Sequence, residues 1–427
     1  MYDSPPMYDS SELPAYSAPS AAGRSLPPSA LNLTIPREPA PSAAEFIHNL
    51  SFKGKNPKSC ASLVLYDDVG VSKHLPTYME GSKLNGLATV SLENPESINT
   101  VTVSIRGQIV SGSSSHPFFE FSQILWSNAS SCGKLQGEHT WPFTIRIPRE
   151  ITLTVGPNDS LRLESARLPH DCLDRRAPAG VEYHSILRFG RSSPLKADYR
   201  IIAPFGYIPV IRPPPLSHCR QVAYRENVEI PGPIADPQGW RTLPPARVGG
   251  RWLNQQLVEA TCTLSLALPL TYTRGSVIPL NLTIQCRNLG ALEALSSPNS
   301  IVCRLRRTVR YLSAEDLREI NTDEKRLGKF QHDHFDLASW WTPSAQLSEK
   351  ETFRRNLCGE IVLPPNLKPT TFIGRFRLEY SVVLFSFDSV GFEPSGDQNI
   401  LLTHPVQIAT AFAPGPLPKS YAPESSF

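Results

Sequence analysis

The chain has 427 residues, of which 40% are hydrophobic, and it carries a formal net charge of +3. This length allows two globular domains, or one large domain with tails. The net charge is too small to indicate a nucleic-acid-binding protein, so we expect no nucleic-acid partner. The 42 prolines are about twice the usual share and favour strands and turns over helices.

Residues 1–45 are rich in proline, serine and alanine, so we expect a disordered N-terminal tail. A PPxY motif occupies residues 5–8, and its LPxY variant occupies residues 13–16. WW domains bind such peptides, because the prolines hold a polyproline II backbone and the tyrosine fits an aromatic-lined groove. The residues expected to bind are Pro5, Pro6, Tyr8, Leu13, Pro14 and Tyr16. WW domains of this specificity occur above all in HECT-type ubiquitin ligases, so the tail predicts a ligase docking site.

The alternative is a proline-rich leader in which the tyrosines are incidental. A third match, Leu75-Pro76-Thr77-Tyr78, lies just before a strand-like run. We interpret it as loop or core, because a folded tyrosine is not available to a WW groove.

Apolar and polar residues alternate with period two at residues 101–106, 143–147, 280–285 and 376–380. This alternation is typical of antiparallel sheets with one buried and one solvated face. We therefore predict an all-β fold with two tandem antiparallel β-sandwich lobes, at residues 46–210 and 241–413.

Residues 211–240 are dense in proline and glycine and are predicted to be a linker. The run Pro213-Pro214-Pro215 is interpreted as a stiff spacer rather than an SH3 ligand. A helix is predicted only at 313–330, where Ser313 and Asp316 form a capping box. Residues 414–427 are expected to be a short disordered tail.

Several segments resemble the arrestin-like family, in the order in which the family has them. These are YMEGSKLNG (78–86), VTVSIRGQ (101–108), GEHTWPFTIRIP (137–148), TYTRGSVIPLNLTIQC (271–286), LCGEIVLPPNLKPTTFIGRFRLEYSVVL (357–384) and HPVQIAT (404–410). The segment at 137–148 is similar to a signature of the fungal α-arrestins. The resemblance implies the arrestin-like double sandwich.

It also implies a function. α-Arrestins bind cytosolic segments of plasma-membrane transporters or receptors and recruit a HECT-type ubiquitin ligase, which directs the cargo to endocytosis. We expect a cytoplasmic, non-enzymatic adaptor, recruited to the plasma membrane or endosomes. In the family the proline–tyrosine motifs usually follow the second lobe, whereas here they precede the first. Arrestin-fold retromer subunits lack such motifs, so a trafficking scaffold without ligase binding is the alternative.

The sequence contains none of the common hydrolase, metalloprotease or nucleotide-binding motifs, so no catalytic residue and no cofactor are expected. His332-Asp333-His334 is the nearest approach to a metal-ligand cluster and is interpreted as a polar loop. The eight cysteines are widely spaced, as in a reduced cytosolic protein. The N-terminal residues lack the basic and apolar regions of a signal peptide.

Residues 303–311 place three arginines, Arg304, Arg306 and Arg310, on one face of an extended strand together with Thr308. Cys303, Leu305, Val309 and Tyr311 take the other face, with Arg307 as the exception. Because guanidinium groups can bind anionic lipid headgroups or an acidic or phosphorylated cargo tail, one interpretation is that this face contacts cargo or lipid. The alternative is a solvated face neutralised by Glu315, Asp316 and Glu319.

Overall fold

A computed structural model of the protein describes residues 44–51, 60–67, 74–128, 134–155, 162–191, 197–254, 256–312, 329–343, 353–395 and 399–423. These residues belong to one compact unit, which spans Ala43–Phe427. They form mainly β-strands, as predicted.

The first group of strands builds the N-terminal sheets. They are β1 (Ala44–Ser51), β2 (Cys60–Asp67), β3 (Thr77–Met79), β4 (Lys83–Glu96), β5 (Ile98–Ser111), β6 (Ser114–Ser127), β7 (Leu135–Arg146), β8 (Glu150–Val155), β9 (Arg162–Arg167), β10 (Gly180–Arg191) and β11 (Tyr199–Ile208). A four-stranded sheet has the order β1-β2-β4-β7, and a five-stranded sheet has the order β3-β11-β10-β5-β6. β8 and β9 pair separately.

The second group builds the C-terminal sheets. They are β12 (Trp240–Thr242), β13 (Ala246–Trp252), β14 (Gln256–Ala267), β15 (Thr271–Thr273), β16 (Val277–Cys286), β17 (Cys303–Tyr311), β18 (Lys329–Leu337), β19 (Ser339–Trp341), β20 (Arg354–Val362), β21 (Thr371–Ile373), β22 (Phe376–Phe385), β23 (Phe392–Pro394) and β24 (Ile400–Ala409). A seven-stranded sheet has the order β19-β20-β16-β14-β13-β23, with β12 on β14. A six-stranded sheet has the order β15-β24-β22-β17-β18, with β21 on β22.

The sheets are antiparallel, except that short β3 runs parallel to β11 and short β15 runs parallel to β24. The predicted all-β, sandwich-type architecture is therefore confirmed. Period-two alternation explains it, because the apolar members of the alternating strands enter the core. In β5, Val101, Val103 and Ile105 are fully buried. In β22, Phe376 and Leu378 are buried in the same way.

Two helices form where the sequence predicted none. α1 (His218–Glu226) lies within the expected linker, and the Ser217 hydroxyl caps it by accepting a hydrogen bond from the backbone N–H of Arg220. The Arg220 guanidinium is buried and donates to the backbone oxygens of Gly239 and Leu268, so it fastens the helix to the C-terminal sheets.

α2 (Leu289–Leu295) begins at Asn288, whose side chain accepts from the backbone N–H of Ala291. Its buried face packs into the core. The helix predicted at 313–330 falls largely outside the described residues, and its last two residues begin β18.

The chain end also differs from the expectation. Residues 414–423, predicted to be a disordered tail, lie against α1 and β20. The physical reason is a set of hydrogen bonds to Glu360 and a ring contact with Tyr224, which the polar composition of this segment did not reveal.

Candidate partner-binding surfaces

The six predicted WW-binding residues, Pro5, Pro6, Tyr8, Leu13, Pro14 and Tyr16, lie outside the described residues. The third match does not. Tyr78 is fully buried in β3, and its hydroxyl donates to the backbone oxygen of Tyr66 at 2.9 Å. Its ring meets that of Phe205 edge-on at 5.6 Å. The interpretation of residues 75–78 as loop or core is confirmed.

The predicted arginine strand is β17. Cys303, Leu305, Val309 and Tyr311 are buried, as the alternation predicts. On the other face, Arg304 and Arg306 are half-buried and Arg310 is exposed. Thr308 is more buried than expected, because its hydroxyl lies 2.9 Å from Nδ1 of His332 on the neighbouring strand.

The strand register extends this face over four strands. Phe330 of β18, Arg310 of β17, Arg377 of β22 and Phe372 of β21 form one continuous row. Phe330 is 49% exposed and Phe372 is 52% exposed, and the Arg377 guanidinium lies 6.0 Å from the Phe372 ring centre. We call Arg304, Arg306, Arg310, Arg377, Phe330 and Phe372 the cationic face.

Few contacts neutralise the cationic face within the described part of the chain. Arg310 Nε lies 3.3 Å from Oε2 of Glu379. Arg306 Nε donates to the Ser381 hydroxyl at 3.3 Å. The acidic residues predicted to neutralise this face, Glu315, Asp316 and Glu319, lie outside the described residues. The sequence alone does not assign Arg377 to the cationic face. Alternation shows on which face of its own strand Arg377 lies, but not which strand pairs with that strand.

His332-Asp333-His334 lies in strand β18 and not in a loop, so that interpretation was wrong. The two histidines are exposed, and Asp333 faces the opposite side. Burial, and then the charge of Arg306, lower the pKa of both imidazoles. Among the described residues, no group of three or more acidic, histidine or cysteine side chains is arranged to hold a metal ion.

Arg307, the exception in the predicted stripe, joins the N-terminal and C-terminal sheets. Its Nη2 lies 2.6 Å from Oδ2 of Asp174, which precedes β10, and 2.5 Å from Oδ2 of Asp333. The guanidinium also sits over the Phe335 ring at 5.8 Å. Burial lowers the pKa of Arg307, but the bonds to both carboxylates outweigh burial and raise it.

A second polar contact between the two groups of sheets centres on His170. Its Nε2 accepts from Arg274 Nη1 at 3.2 Å, since a guanidinium only donates, so the neutral ring carries its proton on Nδ1. Nδ1 lies 3.0 Å from Oδ1 of Asp171, whose Oδ2 is 3.1 Å from Lys368 Nζ. Burial lowers the pKa of His170. Burial opposes ionisation of Asp171, but His170 and then Lys368 hold its pKa well below the usual value.

A groove of about 780 Å³ crosses the outer face of the seven-stranded sheet. Its floor includes the row Thr242, Ser265, Asn281 and Cys358, which the strand register places side by side. One wall is the segment 229–235. The hydroxyl and amide groups on this floor can donate hydrogen bonds to a bound partner and accept hydrogen bonds from it.

No described helix is long and apolar enough to cross a membrane. No protein-family model and no curated protein sequence matches the chain.

Proposed function

We propose that this protein is a non-enzymatic, arrestin-like adaptor that recruits a HECT-type ubiquitin ligase to membrane cargo. The observation that carries the proposal is the pair of proline–tyrosine motifs at residues 5–8 and 13–16. Each motif fits one WW groove, and two motifs on one segment gain avidity for a ligase with tandem WW domains.

The cargo in this proposal is the cytosolic segment of a plasma-membrane transporter or receptor. The two sandwich lobes of the arrestin-like resemblance hold the cargo, and the bound ligase ubiquitinates it and directs it to endocytosis. The adaptor needs no catalytic group, metal or cofactor, because it acts by raising the effective concentration of ligase near the cargo.

The cationic face supports recruitment to the cytoplasmic surface of a membrane. Arginine side chains bind phosphate oxygens through paired hydrogen bonds, and anionic headgroups supply such oxygens. The row that contains Arg310 and Arg377 spans about 14 Å at the usual strand spacing. Phe330 and Phe372 flank the two arginines, where an apolar side chain is suited to the headgroup boundary.

A reconstituted ubiquitin-transfer reaction tests the proposal. Full-length protein is incubated with ATP, activating and conjugating enzymes, and a HECT-type ligase with tandem WW domains. We expect modification of the chain itself to slow at least ~10-fold in a Tyr8→Ala, Tyr16→Ala double variant, since each tyrosine is the anchor of its motif. Tyr2→Ala is the matched control, because this tyrosine lies in the same segment but outside both motifs.

Equal rates for the wild type and the double variant would contradict ligase recruitment through these motifs. That result would favour the alternative, a trafficking scaffold of retromer-subunit type.

A further inference from the structure

The C-terminal residues 411–423 return along the segment that connects β11 to α1 and end on the outer face of β20. The backbone oxygen of Phe412 accepts from Arg212 Nη1 at 2.9 Å. Lys419 Nζ donates to Oδ1 of Asn227, the residue that follows α1, at 3.2 Å. The segment thus follows α1 to the neighbourhood of Glu360.

Glu360 accepts four hydrogen bonds from three consecutive residues of this segment. The Ser420 hydroxyl donates to Oε2 at 2.8 Å. The backbone N–H of Tyr421 donates to Oε1 at 3.0 Å and to Oε2 at 3.2 Å, and the N–H of Ala422 donates to Oε2 at 3.4 Å. A carboxylate that accepts one hydroxyl and two successive backbone N–H groups recognises an extended peptide by its backbone and by one side chain.

The burial of Glu360 depends on the segment. Glu360 shares the outer face of β20 with Cys358 and Val362, yet only 2% of it is exposed. Among the described residues its carboxylate has no ion pair, and every hydrogen bond that the carboxylate accepts comes from residues 420–422. A buried carboxylate without a nearby cation is stabilised only by hydrogen-bond donors. For Glu360 these donors come from the peptide segment and not from side chains of its own sheet.

An aromatic position completes the site. The rings of Tyr421 and Tyr224 lie nearly parallel, with centres 6.1 Å apart and planes 8° apart. The Tyr421 hydroxyl donates to the backbone oxygen of Ala223 at 3.2 Å. Tyr421 also lines a small apolar hollow with Trp240 and Trp341. The site therefore contacts both the ring and the hydroxyl group of Tyr421.

We propose that Glu360, Tyr224 and the C-terminal end of α1 form a peptide-recognition site for an extended Lys-Ser-Tyr-Ala segment, and that the protein's own residues 419–422 occupy it reversibly. This inference is independent of ligase recruitment. The ligand class is a serine–tyrosine peptide with an unmodified serine.

Reversible docking follows from how the segment is held. Lys419 and Ser420 are exposed, and apart from the Tyr421 ring the contacts given for residues 419–422 are hydrogen bonds. Segments with few buried apolar contacts open locally at a small fraction of the global unfolding free energy.

Phosphorylation of Ser420 would prevent the segment from binding at Glu360. The Ser420 Oγ lies 2.8 Å from the Glu360 carboxylate and donates its proton to it. A phosphoserine has no such proton and brings a charge of about −1.5 to −2 next to a buried carboxylate. Like charges at this distance repel strongly in a partly desolvated site.

The test uses a fluorescent peptide of residues 414–423 and the chain ended at Pro418, so that the site is vacated. We expect the peptide to bind the shortened chain, and to bind the full-length chain at least ~10-fold more weakly, because the tethered segment competes at high effective concentration. The phosphoserine peptide and the Tyr421→Ala peptide are expected not to bind. Glu360→Leu in the shortened chain is expected to abolish binding without loss of folding, since the Glu360 carboxylate bonds only residues 420–422 among the described residues.

Absence of peptide binding by a shortened chain that melts at the wild-type temperature would overturn the proposal, as would equal binding to the Glu360→Leu variant. If the shortened chain fails to fold, hydrogen exchange on full-length protein decides the question. There, Ser420→Glu should accelerate exchange at the Tyr421 and Ala422 amides at least ~10-fold over Ser420→Ala, and equal exchange would contradict the proposal.

Discussion

Arg307 and Asp174 are 133 residues apart in sequence, and Arg307 Nη2 lies 2.6 Å from Asp174 Oδ2. The pair connects β17 of the C-terminal sheets to the segment before β10 of the N-terminal sheets. Asp333 shares the same guanidinium nitrogen. Because the Arg307 side chain is only 15% exposed, its loss leaves two carboxylates close together without their cation.

We expect Arg307→Ala to lower the free energy of unfolding by about 1–3 kcal/mol, between the values typical of exposed and of buried ion pairs. Urea denaturation, monitored by tryptophan fluorescence, measures the free energy of unfolding. Arg304→Ala is the matched control on the same strand and should change stability by less than ~0.5 kcal/mol. Equal effects of the two variants would show that the contact between Arg307 and Asp174 is not stabilising.

The His170 contact predicts a dependence of stability on pH. Burial lowers the pKa of His170 below its ordinary 6.5, so the unfolded chain binds more protons at mildly acidic pH. The stability from the neutral ring is therefore fully present above pH 6.5 and is lost as the pH falls from 6.5 through the folded pKa. The charged groups that contact the ring are Asp171, Lys368 and Arg274.

Urea midpoints at pH 7.5 and pH 5.5 measure this dependence. We expect His170→Asn to be less stable than the wild type at pH 7.5 and to lose less stability on acidification. A wild-type midpoint that rises on acidification, or an unchanged pH dependence in the variant, would contradict the assignment of a neutral His170.

Gly359 is required by close packing against Trp340. A Cβ at position 359 would lie 2.4 Å from the Trp340 ring, whereas a Cβ at Gly249 of the same sheet would meet nothing within 4 Å. We expect Gly359→Ala to destabilise the protein by about 1–3 kcal/mol, as overpacking of a core does. Gly249→Ala should be close to neutral in thermal melting, and similar melting temperatures for the two variants would contradict this packing argument.

Many strands were predictable from the sequence because apolar and polar residues alternate along a half-buried strand. Residues 101–106 fall within β5 and residues 280–285 within β16, as the alternation indicated. β18 was missed because both of its faces carry polar groups: His332 and His334 face outward, while Gln331 and Asp333 bond one another and Arg307. Such a strand has no apolar period to detect.

Partners distant in sequence were not predictable. Alternation places Arg310 and Arg377 on polar faces, but their adjacency depends on the pairing of β17 with β22. In the same way, nothing in a proline-rich, polar C-terminal segment indicates a buried carboxylate acceptor some 60 residues earlier. Helix α1 is short and lies between prolines, so its tertiary anchor Arg220 matters more than local propensity.

The cationic face predicts binding to anionic vesicles. We expect Arg306→Glu with Arg310→Glu to reduce sedimentation with phosphatidylserine vesicles at least ~10-fold, since about 1 kcal/mol is attributed to each basic residue near the surface. Arg247→Glu with Arg251→Glu is the control, because both are exposed arginines on the seven-stranded sheet and the change in net charge is the same. Equal losses in both variants would mean that net charge, rather than this face, determines binding.

The same face predicts stronger vesicle binding in acid. The pKa of His332 and that of His334 are lowered below 6.5 by burial and then by Arg306, so both rings are largely neutral at pH 7.5. Other charged groups near these rings are Arg304, Arg310 and Asp333. An anionic surface favours the protonated rings, so affinity should rise as the pH falls from 7.5 to 5.5. His332→Ala with His334→Ala should remove this rise, and a rise of unchanged size would exclude the histidines as its cause.

Calorimetric titration of the full-length protein with a tandem-WW fragment of a HECT-type ligase tests the central claim most directly. We predict micromolar binding that is lost in the Tyr8→Ala, Tyr16→Ala variant and retained in Tyr2→Ala, since the motif tyrosines are the anchors of a polyproline II ligand. Absence of binding by the wild type, or equal binding by the double variant, would contradict the adaptor mechanism.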